Sequence, residues 1–388
     1  MTKKWSSRLT FFAFVVLMVG LGSNDSLRGI FSTIFQEHFS PTTQLGLIVT
    51  ASYIGNLVFL LVGGNLSTRF SKKRVLQVLI LIWMVALALF AFTSNYTVLL
   101  IGMALALGSS TLLNTTMNLI TPLLFATAPG FFVNFLFFTQ EIGTSGSQYI
   151  LGSHADGFAF WQHTNLVLLI LGAVAFVLLL FCNVPEEAAA PADAPAQKGG
   201  YDWRIIVPYV LVFGFYFIAE HGVMNWMVAY GVDGLGLPQA SAAKYLSVFF
   251  GGMMIGRLCL SPLVDKLGAL KSLAAFGGVS CVLYLIGSLG GAVTMPVWAI
   301  SGLSFSILYP TLVMSIRLYF PAQQVSGAAG TILSIASLAD ILFNVGFGKL
   351  VDMTGYAVSI RVLPLSALAF FIVFMLFTKF CKPTQKLK

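Results

Sequence analysis

Carboxylates stand inside long apolar stretches of this 388-residue chain at Asp25, Glu141 and Glu220. Asp25 lies in GSNDSLRGIF, toward the far end of a hydrophobic run that begins near Thr10. An ionisable side chain at membrane depth is costly, so it is expected to face a wet cavity or a partner. Desolvation also lets a carboxylate exchange a proton near neutral pH. We therefore predict that these three residues are proton-coupling groups.

Arg28 leaves a structural alternative open, because it stands three residues after Asp25 on the same helix face. In that interpretation the two side chains neutralise each other as an intrahelical pair. Glu141 and Glu220 have a similar alternative, as structural acids paired with Arg28 or bound by a hydroxyl. If Arg28 pairs with none of these acids, its guanidinium favours a ligand that carries a carboxylate or phosphate.

The composition places these side chains in a membrane protein. The chain is 58% hydrophobic and only 9% charged, with a mean hydropathy of +0.91, which is far outside the range of soluble domains. Its net charge of +8 comes from Lys and Arg in short loops between apolar segments, so topology explains it without nucleic acid. The four cysteines have no short paired spacing, which predicts neither a disulfide framework nor a metal site.

A membrane-spanning helix needs about 20 mostly apolar residues. On that basis the chain contains twelve candidate spans, and the predicted fold is an all-α membrane protein of two six-helix bundles. The bundles are residues 1–183 and 204–388, joined by a polar, Ala- and Pro-rich cytoplasmic linker at 184–203. The predicted spans are 8–30, 43–65, 74–93, 97–121, 131–153, 163–183, 204–230, 242–264, 271–291, 294–318, 326–348 and 357–380.

The distribution of basic residues predicts the orientation. With a cytoplasmic N-terminus, 17 of the 21 Lys and Arg residues fall on the inside of these twelve spans. We therefore expect a multi-pass protein of the cell inner (plasma) membrane with both termini in the cytoplasm. The two halves also repeat a short basic turn, GGNLSTRFSKKR after span 2 and SPLVDKLGALK after span 8. Repeated halves are typical of transporters with a site at mid-membrane between them.

The first basic turn resembles the signature loop of the major facilitator superfamily, G-x-L-a-D-R-x-G-R-R. Thr68 replaces the acid of that pattern and Ser71 replaces its second glycine. The second copy keeps Asp265, Lys266 and Gly268. An ordinary positive-inside loop would explain the charges but not the repeated spacing. The matching residues of the first copy are Gly64, Leu66, Arg69, Lys72 and Lys73.

Longer segments resemble the fucose:proton symporter family. GSNDSLRGIF followed by FQEHFSPTTQLGLIVTASYIGNL is similar to the first hairpin of that family, with its Asn-Asp pair. YLSVFFGGMMIGRL resembles its helix 8, and FSILYPTLVMSI its helix 10 with Tyr-Pro-Thr. The resemblance covers nearly the whole chain outside the linker. It implies two six-helix bundles that carry a sugar with a proton by alternating access, acting as a monomer.

In that family an Asp of helix 1 and a Glu of helix 4 are tied to proton coupling and sugar binding. Asp25 matches the first, whereas Asn114 stands where the Glu is expected. An amide carries no proton in this pH range, but it can bind a hydroxyl. Tyr309 matches the tyrosine of Tyr-Pro-Thr.

Sugar recognition needs amides and carboxylates for the hydroxyls and an aromatic face for the ring. The alternative for Trp and Tyr is an interfacial belt, and His221 beside Glu220 is a candidate for a local hydrogen bond. Asp340 is interpreted as a packing or gate residue. The predicted substrate-binding residues are Asp25, Arg28, Asn114, Asn118, Gln140, Glu141, Asn225, Trp226, Tyr230 and Tyr309.

Enzyme signatures are absent: the sequence has no G-x-S-x-G, no G-x-x-x-x-G-K and no H-E-x-x-H. We therefore predict no enzymatic activity, no catalytic residue, no cofactor and no metal. The expected partners are a small-molecule substrate of sugar type, protons and membrane lipids, and no nucleic acid. The alternative functions are a proton-coupled organic-anion transporter and a drug exporter, favoured by Arg28 and the 35 Phe residues.

Overall fold

Every regular element in the described residues is helical, which confirms the predicted all-α class. The structure, a computed structural model, describes residues 3–39, 42–125, 129–185 and 201–383. It divides into two compact units, Met1–Ala194 (unit 1) and Pro195–Lys388 (unit 2). Most of the predicted linker, residues 186–200, lies outside the described residues, so the domain boundaries at 184–203 stay a prediction.

The described residues of unit 1 form six long helices and one short one. The short helix, α2, lies between the first two predicted spans. Side chains of residues 60–69, which include Gly64, Leu66 and Arg69 of the signature turn, lie outside the described part. The helices are α1 (Lys3–Ile30), α2 (Ser32–Phe39), α3 (Thr42–Arg69), α4 (Lys72–Phe92), α5 (Tyr96–Leu124), α6 (Pro129–Ile150) and α7 (Gly157–Leu180).

Unit 2 is more irregular. Its first helix, α8 (Trp203–Ala229), continues as a π-helical turn, Tyr230–Gly234, and its fourth span is broken into short helices. The remaining helices are α9 (Gln239–Leu267), α10 (Ala269–Leu289), α11 (Met295–Ile300), α12 (Gly302–Phe305), α13 (Leu308–Ser315), α14 (Ala322–Thr354), α15 (Tyr356–Ser359) and α16 (Val362–Phe380).

Ten helical segments of the described chain are long and apolar enough to cross a membrane. Two further long helices, α3 and α6, occupy the predicted spans 43–65 and 131–153. Within α3, residues Gln44–Phe59 form a shorter apolar stretch. The chain is therefore a multi-pass helical membrane protein, as the hydropathy pattern predicts.

The two units repeat one packing pattern. In unit 1, α1 packs on α6 and α7, α3 packs on α5, and α4 packs on α7. In unit 2, α8 packs on α14 and α16, α9 packs on α12, and α10 packs on α16. In both units the first span therefore packs on the fifth and sixth, the second on the fourth, and the third on the sixth. This agreement is the structural counterpart of the repeated basic turns.

The span predicted at 294–318 is not one continuous helix, because it breaks at Ser301 and again at residues 306–307. Pro310 contributes to the second break, since it has no N–H to donate to the carbonyl group of Ser306. At the first break Gly302 allows close approach to α9, where an added Cβ would overlap the carbonyl oxygen of Phe249.

The two signature turns are built differently. Gly268 has φ +81°, which explains why the second glycine of that pattern is retained in unit 2. In unit 1, Ser71 takes that place with φ −59° and caps α4 by accepting a hydrogen bond from the backbone N–H of Arg74 at 3.4 Å. Lys73 donates to the carbonyl oxygens of Leu180 and Cys182, at 3.0 and 2.7 Å, and so caps the C-terminal end of α7.

Candidate functional site

A glycine crossing between α1 and α6 positions the polar residues of unit 1. A Cβ at Gly22 would overlap the carbonyl oxygen of Gln140, and one at Gly143 would overlap that of Val19. Two hydrogen bonds cross at the same level: Ser23 donates to the carbonyl oxygen of Gly143 at 3.3 Å, and Thr144 donates to that of Gly22 at 3.2 Å. Small residues allow this approach, which places the Asp25 turn of α1 beside the Gln140–Glu141 turn of α6.

Asp25 is half-buried and reaches α5. The hydroxyl of Ser110 donates to its carboxylate, at 3.4 Å to Oδ2 and 3.5 Å to Oδ1. Asn24 hydrogen-bonds to the same carboxylate, and Arg28 and Glu141 act on it electrostatically. Three of the predicted residues, Asp25, Arg28 and Glu141, therefore belong to one electrostatic cluster inside unit 1.

Arg28 is a buried cation, with 3% of its surface exposed. Its guanidinium carbon lies 5.9 Å from the centre of the Tyr53 ring, within range of a cation–π contact. Its Nε is buried without a hydrogen-bond partner. Among the described residues, Arg28 and Asp25 interact electrostatically but form no direct salt bridge. The Arg28 guanidinium therefore has N–H donors that do not bond to Asp25.

A chain of amides joins α5 to α6. Asn118 Nδ2 donates to Asn114 Oδ1 at 2.6 Å, and Asn114 Nδ2 donates to Gln140 Oε1 at 2.6 Å. All three side chains are half-buried, and Asn118 Oδ1 is a buried acceptor without a donor. This chain of amides therefore offers the Oδ1 atom of Asn118 as an acceptor at one end and the amide group of Gln140 at the other. Asn114 takes this hydrogen-bonding role at the position where a Glu was expected.

In unit 2, Glu220 lies among tyrosines. It is half-buried and interacts electrostatically with the phenol groups of Tyr216, Tyr284 and Tyr309. Arg257 of α9 acts on Tyr216 and Tyr309 in the same way. The rings of Tyr216 and Tyr309 stack with their centres 6.0 Å apart. The predicted pair of Glu220 and Tyr309 is thus brought together within one unit, with a cation nearby.

Sequence reasoning missed a buried polar network between α8 and α14. His221 Nδ1 lies 2.7 Å from Asp340 Oδ2, Asn344 Nδ2 donates to Asp340 Oδ1 at 3.2 Å, and Trp226 Nε1 donates to Asn344 Oδ1 at 3.0 Å. Asp340 is 1% exposed, and Asn344 and Trp226 are fully buried. The signal available in the sequence was the spacing of four between Asp340 and Asn344, which places both on one face of an apolar helix.

Three predicted residues of α8 and its π-helical extension are packed within unit 2. The Trp226 ring is covered by Phe347, with ring centres 4.8 Å apart, and Tyr230 is 3% exposed. Asn225 is fully buried, and both polar atoms of its amide group are without partners among the described residues. Trp226 therefore has a packing contact on its ring and a hydrogen bond on its indole nitrogen, so its predicted stacking face is not open.

Comparison with known proteins gives a family and a fold. The sequence model of the Major Facilitator Superfamily matches residues 10–339. The solved structure of a D-xylose-proton symporter superposes with a TM-score of 0.78 at 15% sequence identity, covering 99% of both chains. The predicted fold of two six-helix bundles is therefore confirmed at the level of the superfamily.

Curated relatives include transporters of sugars and of an organic acid. A glucose/galactose transporter of Brucella abortus is 27% identical over 358 residues, covering 86% of this chain and 84% of that protein. The L-fucose-proton symporter of Escherichia coli is 23% identical over 333 residues, covering 74% and 75%. The cis,cis-muconate transport protein of Acinetobacter baylyi is 23% identical over 296 residues, covering 71% and 70%.

Proposed function

Because the chain belongs to the Major Facilitator Superfamily, we propose that this secondary transporter imports a sugar or sugar derivative together with protons by alternating access. Membership of a transporter family agrees with the absence of enzyme signatures. The relatives named for glucose/galactose and for L-fucose with a proton support a hexose as substrate class. We also propose that both termini are cytoplasmic in the inner membrane and that the protein acts as a monomer.

The observation that carries the proposal is the amide chain of Asn118, Asn114 and Gln140 beside Asp25. A sugar ring presents several hydroxyls, each both donor and acceptor, and is held best by groups whose donor and acceptor directions are fixed. The two 2.6 Å hydrogen bonds fix these directions across α5 and α6. The unsatisfied Asn118 Oδ1 is ready to accept from a ligand hydroxyl, since buried polar groups are normally paired.

The charges of unit 1 support a proton as the co-transported ion. With Asp25 and Glu141 both ionised, the charges of Asp25, Glu141 and Arg28 sum to one negative charge. A single proton on either carboxyl neutralises the cluster, which is favourable at membrane depth. Because Asn114 cannot titrate, we assign this proton to Asp25 and keep Glu141 as the alternative. Either residue serves the same cycle, by loading a proton with the substrate and releasing it on the other side.

Within unit 2, Glu220 and Tyr309 provide a carboxylate and an aromatic ring. Tyr309 is half-buried, and it packs on Phe213 as well as on Tyr216, so its ring is held in place. An aromatic face binds the apolar side of a sugar ring, and a carboxylate accepts from its hydroxyls. We assign the stacking role to Tyr309 rather than Trp226, because the Trp226 ring is covered.

Counterflow in proteoliposomes tests the proposal directly. Vesicles are preloaded with unlabelled D-glucose, D-galactose or L-fucose, and entry of the labelled sugar is followed at pH 6 and pH 8. We expect counterflow of at least one hexose at both pH values, and net accumulation only under an inward pH gradient. Absence of counterflow for every hexose in the panel would refute the sugar assignment.

A second candidate function is transport of organic anions, which Arg28 favours. A buried guanidinium without a direct salt bridge to Asp25 suits a carboxylate on the substrate. The relative named for cis,cis-muconate fits the same chemistry. Substrate-induced thermal shifts separate the candidates: neutral sugars shift the unfolding temperature if the first proposal holds, and uronates or dicarboxylates if the second does. A shift only with cationic drugs would instead indicate an exporter.

A further inference from the structure

An apolar groove in unit 1 lies outside the residues assigned to substrate and proton. It has a volume of about 590 Å³ and is formed by one face of α4 together with residues of α3 and α5. Almost all of its lining surface is apolar, and several of the lining side chains are half-exposed. Because these helices cross the membrane, an exposed apolar surface between them meets lipid. The lining includes Val58 of α3, Leu112 of α5, and Phe70, Arg74, Val78 and Ile82 in and just before α4.

The length of the groove matches one leaflet of a bilayer. Arg74 stands in the first turn of α4 and Ile82 eight residues later, so the groove extends about 12 Å along this helix. At its deep end, Leu112 lies in the middle of α5, far from both ends of that helix. The hydrocarbon core of a bilayer is about 30 Å thick, so one leaflet contributes roughly 15 Å. The groove therefore has the length of one acyl chain that enters from the end at Arg74.

The shallow end of the groove is positively charged. The first turn of α4 holds Lys72, Lys73 and Arg74 and no acid. Lys73 caps α7 and Lys72 is buried, whereas Arg74 is exposed and lines the groove. The dipole of a helix favours anions, not cations, at its N-terminal end. An anionic group at Arg74 would therefore be attracted both by the guanidinium and by the end of the helix.

The described residues of unit 1 offer no carboxylate partner to Arg74. Two of their four acids belong to the polar cluster of α1 and α6. The other two lie at the end of α7 away from Lys73: one precedes that helix, and one is on α2, where the neighbouring His38 stacks on Phe158. The 24 residues of α7, about 36 Å, separate that end from Arg74. The four acids are Asp25, Glu141, Asp156 and Glu37.

We propose that this groove binds one anionic phospholipid of the surrounding membrane, with an acyl chain along α4 and its phosphate at Arg74. A guanidinium matches the oxygens of a phosphate group with two parallel N–H donors. The apolar lining positions the acyl chain, and the charge selects an anionic headgroup over a zwitterionic one, whose ammonium group the cations repel. One basic residue near an anionic membrane surface contributes about fivefold to binding. Lipid binding here does not depend on the proposed transport function.

Native mass spectrometry of the full chain in detergent tests the headgroup preference. Phosphatidylglycerol and phosphatidylcholine with identical acyl chains are titrated separately, and the first bound lipid is quantified. We expect phosphatidylglycerol to bind about fivefold more tightly, and Arg74→Gln to remove this preference. Arg204→Gln, on an exposed arginine in the first turn of α8, is the matched control and keeps it. Equal binding of both lipids by the unmodified protein, or an unchanged preference in Arg74→Gln, would overturn the proposal.

Photochemical cross-linking locates the acyl chain. With phosphatidylglycerol that carries a diazirine in its acyl chain, we expect cross-links on α4 between Arg74 and Ile82. Val78→Trp fills the groove and should abolish them. Val85→Trp is the matched control, because Val78 and Val85 are both valines of α4 with 54% of their surface exposed, and Val85 does not line the groove. Equal labelling of the two variants, or a second copy of the chain bound in place of lipid, would overturn the proposal.

Discussion

Substitution of Gly143 by alanine tests how the unit 1 cluster is positioned. The new Cβ would overlap the carbonyl oxygen of Val19 and lie 2.9 Å from its carbonyl carbon and 3.0 Å from the backbone nitrogen of Ser23. Non-bonded atoms prefer a separation of about 3.5 Å, and the overlap with the Val19 oxygen is the closest of the three contacts, so α1 and α6 must move apart by about 1 Å or more. Overpacking of this kind costs about 1–3 kcal/mol.

The displacement also changes the polar cluster, because Gln140 and Glu141 lie on the same turn of α6 as the crossing. In Gly143→Ala we expect an apparent unfolding temperature roughly 2 to 12 °C lower, from the cost above and about 2–4 °C per kcal/mol. We also expect counterflow to fall by at least about tenfold, since misplacement by 1 Å can cost about a hundredfold in rate. Both are measured on detergent-purified and reconstituted protein.

Gly146→Ala is the control for this experiment. Gly146 lies on the same helix, and an added Cβ there meets no described atom within 4 Å outside its own helix turn. Alanine is a better helix former than glycine by about 1 kcal/mol, so this variant should keep or raise stability. If Gly143→Ala unfolds and transports like Gly146→Ala, the close crossing does not position the cluster and the reasoning is refuted.

Three further substitutions have defined outcomes. Tyr309→Ala should raise the substrate KM by about five- to tenfold through loss of the aromatic face, whereas Tyr309→Phe should keep it within about twofold. If both substitutions raise the KM equally, the hydroxyl group of Tyr309, and not its ring, recognises the substrate. Asn344→Leu leaves the indole N–H and the Asp340 carboxylate short of a partner each, and should cost about 2 kcal/mol or more in thermal unfolding. Lys73→Met removes the cap of α7 and should cost about 1–2 kcal/mol, the charge being partly exposed; an unchanged midpoint would show that the cap is not stabilising.

Helix positions could be predicted from the sequence because hydropathy and length decide them. Each of the twelve predicted spans coincides with helix in the described residues, within a few residues at most ends. The break inside 294–318 was not predicted, although Pro310 was visible, because proline in a transmembrane helix is often accommodated without a break. Gly302 could be recognised as a contact point only once α9 was placed against it.

The candidate site was predicted in part. The residue types of Asp25, Asn114, Gln140 and Glu141 indicated polar side chains in lipid, and this is a local property of the sequence. Which of them touch is a property of tertiary packing: the amide chain depends on α5 meeting α6. For the same reason Trp226 was predicted to bind substrate, since its partner on α14 could not be deduced from its own helix.

The buried polar network between α8 and α14 also depends on tertiary packing that the sequence does not show. His221 was visible as a histidine beside an acid, but the acid that it contacts is Asp340, 119 positions away in the chain. Only the contact between α8 and α14 makes the two a pair. Composition and periodicity thus predict which side chains are unusual in a membrane, and packing decides which of them act together.

Proton-driven uptake by Asp25→Asn tests the central claim, that an intramembrane carboxylate couples sugar movement to protons. The substitution keeps the shape of the side chain and its contact with Ser110, but removes its ability to carry a proton. We expect counterflow to persist and accumulation under an inward pH gradient to be abolished. Full accumulation of the sugar by this variant would contradict the role assigned to Asp25.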